Sequence, residues 1–147
     1  MPALLASDHV DAARAALAAV AADEADQARL YARRMRHRAE LDRLLTTGPE
    51  QFAVIELAGT ARIGQCRAST QLTDARRLDE VLTGTMSRCE QGLLFQDSAE
   101  LLLSLTRHCT PEVQTEVEAR VLAQITEGTD HPPLWLETHE PDTKPPF

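Results

Sequence analysis

The chain has 147 residues, of which 43% are hydrophobic, 26% are charged and only 3% are aromatic. This length is typical of one domain and is sufficient to bury a core without disulfides or a structural metal ion. The formal net charge of −8 excludes a surface that is basic all round and leaves only a local basic face of the kind that nucleic-acid binders use.

The first predicted element is a long amphipathic helix. Ser7 is a suitable N-cap, and neither glycine nor proline interrupts the chain from there to Leu45. A helix longer than about 30 residues exceeds the usual globular range, so we expect it to kink or to pair with a second chain. Its apolar stripe follows a seven-residue lattice through Val10, Leu17, Tyr31 and Leu45, with Ala13, Val20 and Leu41 beside it.

A basic segment lies within this first helix. RLYARRMRHR, Arg29 to Arg38, contains five arginines and one histidine. One interpretation is a strip that faces phosphates, with Arg33, Arg34 and Arg36 as candidate contacts. The other interpretation is the solvated face of a long helix, and the pattern leaves both open.

Two shorter helices are predicted next, on either side of a break at RIGQ. The first begins near Pro49, because proline suits the first helical turn, and the second runs from about Gln65 to Leu82. The expected buried face of the first is Phe52, Ile55, Leu57 and Ala58. On the second, the apolar face is Ala68, Leu72, Ala75 and Leu82, and the opposite face is Thr70, Thr73 and Arg77.

Residues from about 50 to 82 therefore form a helix-turn-helix-like unit. Ala58 would be the small residue that faces the second helix, and Ile63 the apolar residue that fills the turn. As a DNA-reading device the unit would present Arg67, Thr70, Thr73, Asp74 and Arg77 on its second helix and Arg62 in the turn, because arginine and threonine bond phosphates and base edges. The alternative is an ordinary corner between two packed helices.

Three further helices are predicted towards the C-terminus. A short one covers Met86 to Leu93 after a break at TGT, and QDSAELLLSLTRH follows, with Asp97 or Ser98 as its cap. The last begins with Thr110 as N-cap and Pro111 in the first turn. Its apolar face is Val113, Val117, Val121 and Ile125. Across the whole chain, the side chains we expect in the core are Leu72, Leu101, Leu102, Val117 and Val121.

The predicted fold is all-α, with five to six helices in one domain over residues 1–127. No stretch shows the alternation or the β-branched runs of a strand. Five of the eight prolines fall after Gly128, so residues 128–147 are predicted to be an irregular tail. Leu134, Trp135 and Leu136 are expected to dock on the body of the domain.

The sequence contains no convincing catalytic constellation. No G-x-S-x-G elbow, glycine-rich phosphate loop or close set of histidines and cysteines is present, so we expect a non-enzymatic protein without metal or cofactor. Cys66, Cys89 and Cys109 form no C-x-x-C pair, which favours a reduced, cytoplasmic chain. No secretory signal or membrane span is predicted.

Beyond these patterns, Glu56 to Gln124 resembles a family. MSRCEQGLLFQDSAELLLSLT and TPEVQTEVEARVL are similar to the actinobacterial domain of unknown function that typically precedes an HNH endonuclease domain. Members of that family are often repeated copies that resemble mobile elements. The helical pair followed by a G-x-L pattern is also similar to the DNA-binding part of ParB-like proteins, by analogy only.

The sequence departs from the family in three places. Gly64 stands where the family usually has a capping serine or threonine, and the match stops near Gln124. The HNH motif needs an asparagine, and this chain has none. The resemblance therefore implies a truncated or stand-alone N-terminal module without nuclease activity.

Two functions follow from the sequence. The first is a DNA-binding or DNA-associated accessory module of a mobile or phage-like element, with duplex DNA as partner. The second is a helical interaction module that forms homo-oligomers through its long first helix and has no nucleic-acid role. The family resemblance favours the first, and the acidic net charge favours the second.

Overall fold

The structure of the protein, a computed structural model, describes residues 2–46 and 52–128. These residues form helices and no strand, which confirms the all-α prediction. The helices are α1 (Pro2–Leu45), α2 (Phe52–Ala61), α3 (Gln65–Glu80), α4 (Thr83–Glu90), α5 (Gln96–Leu105) and α6 (Pro111–Gly128). The long first helix is confirmed, because α1 has 44 residues. The predicted helix start near Pro49 and the predicted tail from residue 129 onward lie outside the described residues.

Three predicted helix boundaries are wrong. Helix α1 begins at Pro2, so Ser7 lies inside it; proline is tolerated in a first turn and the following Ala-Leu-Leu-Ala favours helix. Helix α4 begins at Thr83, so TGT starts a helix instead of breaking one. The N-cap of α5 is Phe95, with no side-chain cap, and Asp97 lies in the first turn.

The start of α6 agrees with its prediction. The Thr110 carbonyl accepts the N–H of Gln114 at 2.9 Å, and the Thr110 hydroxyl accepts the N–H of Val113 at 3.4 Å. Pro111 is the first helical residue. Thr110 therefore caps α6 as its residue type indicates.

The main core lies where α1 packs against α3, α4 and α5, and where α4 packs against α6. Its members share nearly complete burial and come from every helix except α2. They are Tyr31, Ala32, Met35, Ala75, Leu78, Leu82, Met86, Cys89, Leu94, Ala99, Leu103 and Leu122. From Ala28 onward, α1 is therefore the helix against which α3, α4 and α5 pack.

A second, smaller core lies beneath α2. Its fully buried members are Ala53, Leu57, Ala68 and Leu72. Ala58 and Ile63 pack against it, so Ile63 fills the turn as predicted. The predicted buried face of α2 is wrong for Phe52 and Ile55, which are half exposed. A short helix buries one i, i+4 stripe, and here that stripe is Ala53 and Leu57.

The five core predictions have different outcomes. Leu72 and Leu102 are buried, but Leu101 is 59% exposed. Three consecutive leucines span about 200° of a helix, so they cannot all face inward. Val117 and Val121 are only partly buried, because α6 turns its Gln114–Glu118–Leu122 line inward. The predicted apolar face of α6 is therefore only partly buried: Val113 is 43% exposed, whereas Ile125 packs against the main core.

The N-terminal half of α1 extends beyond the bundle. From residue 7 to residue 27 every described side chain is exposed except Val10 and Ala25, which are partly buried. Leu17 is 44% exposed and Val20 is 55% exposed. The predicted apolar stripe thus has no partner over this half within the described structure. None of the described helices is both long and apolar enough to cross a membrane.

Candidate nucleic-acid interface

The turn between α2 and α3 holds the two helices as a pair. The Ile63 N–H donates to the Ala58 carbonyl at 3.0 Å, which closes the end of α2. Arg62 has a φ of 54°, a left-handed conformation that usually selects glycine at this position after a helix. The helix-turn-helix-like unit is therefore a compact corner with an arginine at its tip.

The N-terminus of α3 is open. Its N-cap is Gly64, which supplies no side-chain hydrogen bond. The first N–H groups of a helix have no partner within it, and they carry the positive end of the helix dipole. Arg67 is exposed in this first turn. The free N–H groups of the first turn and the Arg67 side chain, both positive, therefore lie together at the start of α3.

The candidate residues of α3 do not behave alike. Arg67, Thr70 and Thr73 are exposed, as is Arg62 in the turn. The Thr70 hydroxyl donates to the Cys66 carbonyl at 3.1 Å, so it keeps its lone pairs for a ligand. Neither Arg67 nor Arg62 forms an ion pair with any described residue.

Arg77 is not exposed, and that prediction is wrong. Its side chain is only 11% exposed. The guanidinium donates to the Leu103 carbonyl at 2.8 Å, to the Thr106 hydroxyl at 2.6 Å and to Gln114 Oε1 at 3.1 Å. Asp74 lies 3.5 Å from it. Arg77 joins α3 to α5 and α6, so it belongs to the interior of the bundle.

The basic segment of α1 divides into paired and unpaired arginines. Arg36 pairs with Asp79 at 2.9 Å and with Glu90, and the hydrogen bond to Glu90 is the main cause that raises its pKa. Arg29 pairs with Asp26 at 2.9 Å. These two side chains fit the interpretation of a solvated, ion-paired face.

The remaining arginines of the segment have no carboxylate partner among the described residues. Arg33 and Arg34 are exposed. Arg38 is partly buried, and it donates to Gln71 Oε1 at 2.9 Å and to the Arg34 carbonyl at 3.3 Å. Burial, and next the nearby charge of Arg34, lower the pKa of Arg38, although Tyr31 acts in the opposite direction. No anionic group among the described residues therefore forms an ion pair with Arg38.

A cleft of about 100 Å³ between α1, α3 and α5 brings the two candidate surfaces together. Arg34 and Arg38 reach it from α1, Arg67 and Gln71 from α3, and Glu100 from α5. The basic segment and the start of the helix-turn-helix-like unit therefore share one surface feature. Sequence reasoning missed this cleft, although Tyr31, Arg34 and Arg38 do recur at the spacing of one helical face.

Acidic residues also line this region. Asp74 lies 3.5 Å from Arg77 and 3.7 Å from Arg107. Burial raises its pKa, and this outweighs the two guanidiniums, which lower it. Asp74 is therefore occupied by Arg77 and Arg107, and Glu100 is the one other acidic residue that lines the cleft beside Arg34, Arg38 and Arg67.

The described residues hold no group of three histidines, cysteines or carboxylates that could bind a metal ion. Cys66 is exposed, Cys109 is partly buried and Cys89 is buried, and all three are free thiols. Neither observation tests the predictions that the protein has no enzymatic activity, no metal ion and no cofactor.

Comparison with known proteins adds no relative. No family model, curated protein or solved structure matches the chain. The resemblance of Glu56–Gln124 to the domain that precedes HNH endonucleases therefore stays a prediction, and a functional proposal depends on the geometry of the residues above.

Proposed function

We propose that the protein binds duplex DNA, without enzymatic activity, through the surface where α1 meets the start of α3. The observation that carries this proposal is the shared cleft, in which Arg34 and Arg67 converge without a carboxylate partner. The family resemblance supports the further proposal that it serves as an accessory module of a mobile or phage-like element.

The distribution of ion pairs supports a local basic face on an acidic protein. Carboxylates pair with half of the fourteen arginines in the described chain: Arg29, Arg36, Arg43, Arg76, Arg77, Arg107 and Arg120. Arg33, Arg34, Arg38, Arg62 and Arg67 have no such partner, and neither has Arg14 on the exposed N-terminal half of α1. Local positive charge is what attracts a polyanion, and the net charge of −8 keeps nonspecific attraction low.

Helix α3 supplies the rest of the contact. Its open N-terminus and Arg67 suit a phosphate, since helix N-termini bind anions through free N–H groups. The exposed hydroxyls of Thr70 and Thr73 follow on the outward side and suit phosphates or base edges. Arg77 has no part in this contact.

A salt titration tests the proposal. We expect the protein to bind a short duplex at about 50 mM salt, with an affinity that falls as salt rises because counterions are released. Replacing both Arg34 and Arg67 with alanine should weaken binding and reduce the salt slope by about 0.9 for each lost phosphate contact.

Arg120→Ala is the control, because it removes one arginine charge from the exposed side of α6, whereas the double variant removes two from the cleft. It should leave DNA affinity nearly unchanged. If the wild type shows no binding at about 50 mM salt, or if Arg120→Ala weakens binding as much as the Arg34 and Arg67 changes, the DNA proposal is wrong.

The second candidate function is self-association through the N-terminal half of α1. The observation that favours it is the uncovered stripe of Val10, Leu17 and Val20. Isolated helices are marginal in water, so most helices in proteins gain their stability by packing an apolar face. A second copy of α1 would supply that packing.

Sedimentation across a range of concentrations tests this candidate. Leu17→Glu should abolish association, because it places a charge in the middle of the stripe. Ala15→Glu adds the same charge on the opposite face of the helix and should leave association intact. A wild type that stays monomeric at about 100 µM, where contacts of micromolar affinity are populated, excludes the interaction module.

A further inference from the structure

The cleft between α1, α3 and α5 contains a buried polar group that the fold does not use. Tyr31 is 6% exposed and lines the cleft, yet its hydroxyl makes no hydrogen bond to any described residue. Buried tyrosine hydroxyls usually find a partner. No fully enclosed side-chain nitrogen or oxygen lacks a partner in the described structure, so the Tyr31 hydroxyl reaches the open space of the cleft.

Three arginines line the same space. Arg34, Arg38 and Arg67 line the cleft, and none of them forms an ion pair with a described residue. The hydrogen bonds of Arg38 to Gln71 and to the Arg34 carbonyl fix its guanidinium but use only neutral acceptors. A held, partly buried cation without an anion is the arrangement that a bound anion would complete.

The acidic groups at the cleft do not cancel this charge. Asp74 is paired with Arg77 and Arg107. Glu100 is exposed and accepts a hydrogen bond from Gln96 Nε2 at 3.1 Å. One carboxylate is therefore left against three guanidiniums. Burial, and next Glu100, raise the pKa of Tyr31, so its hydroxyl keeps its proton and remains a donor.

We propose that this cleft binds one phosphate group, held by Arg34, Arg38, Arg67 and the Tyr31 hydroxyl. Arginine presents only donors, in a fork that matches phosphate oxygens. Three guanidiniums and a hydroxyl offer more donors than the two oxygens of a carboxylate can accept. The volume of about 100 Å³ exceeds the ~10–15 Å³ that one water molecule needs on the same measure, so the cleft has room for a larger polar group.

Two sources can supply this phosphate. One is the backbone of duplex DNA, and this source rests on the function proposed above. The other is the phosphate group of a small molecule, which binds whether or not the protein binds DNA. The chemistry of the site is the same in both cases, so the experiment needs separate arms.

The first arm titrates the full-length protein with inorganic phosphate at constant ionic strength, set with chloride, and follows the arginine Nε–H resonances by NMR. We expect saturable shifts at Arg34, Arg38 and Arg67 and none at Arg120. Tyr31→Phe and Arg67→Ala should each weaken phosphate binding about tenfold, because a hydrogen bond to a charged group is lost. Tyr31→Phe removes only the unbonded hydroxyl, so the thermal midpoint should stay unchanged.

The second arm measures duplex DNA binding by the wild type and by Tyr31→Phe, which alters no charge. Weaker DNA binding by Tyr31→Phe assigns the phosphate to the DNA backbone. Saturable phosphate binding with DNA affinity unchanged, or with no DNA binding, assigns the site to a small molecule.

Two results would overturn the inference. Shifts that stay linear with phosphate and equal at Arg120 indicate no site. Phosphate binding that both Tyr31→Phe and Arg67→Ala leave unchanged places any site elsewhere. Neither result bears on DNA binding by the wild type, so the two proposals can fail separately.

Discussion

At the scale of single residues, arginines of similar sequence context serve opposite purposes. Arg67 and Arg77 lie on the same helix, ten positions apart. Arg67 is exposed and forms no hydrogen bond or ion pair with a described residue, whereas Arg77 donates to acceptors on α5 and α6. The sequence grouped them as one DNA-reading face, but the packing of α5 and α6 against α3 separates them.

Arg77→Ala should therefore affect folding. Removing the guanidinium leaves the Leu103 carbonyl and Gln114 Oε1 without their donor and Asp74 with Arg107 alone, at a cost of about 2–4 kcal/mol. Chemical denaturation measures this loss. Arg67→Ala is the control and should stay within about 0.5 kcal/mol of wild type; equal stability of the two variants would show that the Arg77 network is unimportant.

Thiol chemistry gives a second prediction, with a pH dependence. Burial, and next the charge of Glu90, raise the pKa of Cys89 from 9.0 to about 12. Because the folded pKa is the higher one, the stabilising contribution is complete below about pH 9 and is lost as the pH rises towards 12. Urea unfolding at about pH 8 and about pH 10.5 should show a smaller alkaline loss of stability for Cys89→Ala than for wild type.

Labelling of the native protein is the control for the buried position of Cys89. Cys66 is exposed and Cys89 is buried, so an alkylating reagent at neutral pH should modify Cys66 rapidly. Cys89 should react only after unfolding, because both burial and a scarce thiolate protect it. Rapid labelling of Cys89 in the folded protein would contradict its place in the core.

At the scale of elements, a side chain of α6 caps the N-terminus of α4. The Glu118 carboxylate accepts the Thr85 N–H at 3.0 Å, the Thr85 hydroxyl at 2.8 Å and the Gly84 N–H at 3.3 Å. A Cβ at Gly84 would lie 2.9 Å from Leu122 Cδ1 and 3.0 Å from Glu118 Oε1, so a larger residue there would displace one of these α6 side chains. This contact explains why TGT begins a helix although its residues are typical of a break.

Glu118→Ala should lower the free energy of unfolding by about 2–3 kcal/mol, because buried donors at the start of α4 lose their acceptor. Glu118→Gln should lose less, since it keeps one acceptor oxygen. Glu116→Ala is the matched control, because it breaks only the exposed pair with Arg120 and should cost under about 1 kcal/mol. Similar losses for Glu116→Ala and Glu118→Ala would refute the capping role.

Neighbouring leucines on α5 give a matched pair. Leu102 is buried and Leu101 is largely exposed. Leu102→Ala should cost about 2–4 kcal/mol through lost burial and the cavity it leaves, whereas Leu101→Ala should cost under about 1 kcal/mol. Thermal unfolding distinguishes them, and a reversed order would mean that α5 is rotated by about 100° from the face described.

At the scale of the whole molecule, stability is expected to be uneven along α1. The segment from Ala28 packs against the main core, whereas residues 7–27 are almost entirely exposed. Local stability follows buried contacts. In dilute protein, hydrogen exchange should therefore be faster for amides between residues 10 and 24 than for those from Ala28 to Met35.

The dependence of hydrogen exchange on protein concentration shows whether a second copy of the chain covers this segment. If a second copy covers the stripe of Leu17 and Val20, protection of this segment should rise with concentration, and Leu17→Glu should abolish the rise. Strong protection that is independent of concentration would contradict a helix half that lies outside the bundle.

The sequence by itself determined the all-α class, the length of the first helix and the cap at Thr110. These features depend on local propensity, on the absence of glycine and proline, and on interactions within one turn. It also placed Ile63 in the turn and Leu72 in the core, because their apolar spacing matches a helical face.

Only the tertiary structure decided which neighbours those faces meet. The spacing on α3 could not show that Arg77 bonds α5 and α6, nor could three consecutive leucines show which of them turns inward. The meeting of Arg34 and Arg38 on α1 with Arg67 on α3 is likewise invisible in the sequence, because the residues are about 30 positions apart. Periodicity fixes the direction of a side chain on its own helix, and the packing of other helices decides what lies in that direction.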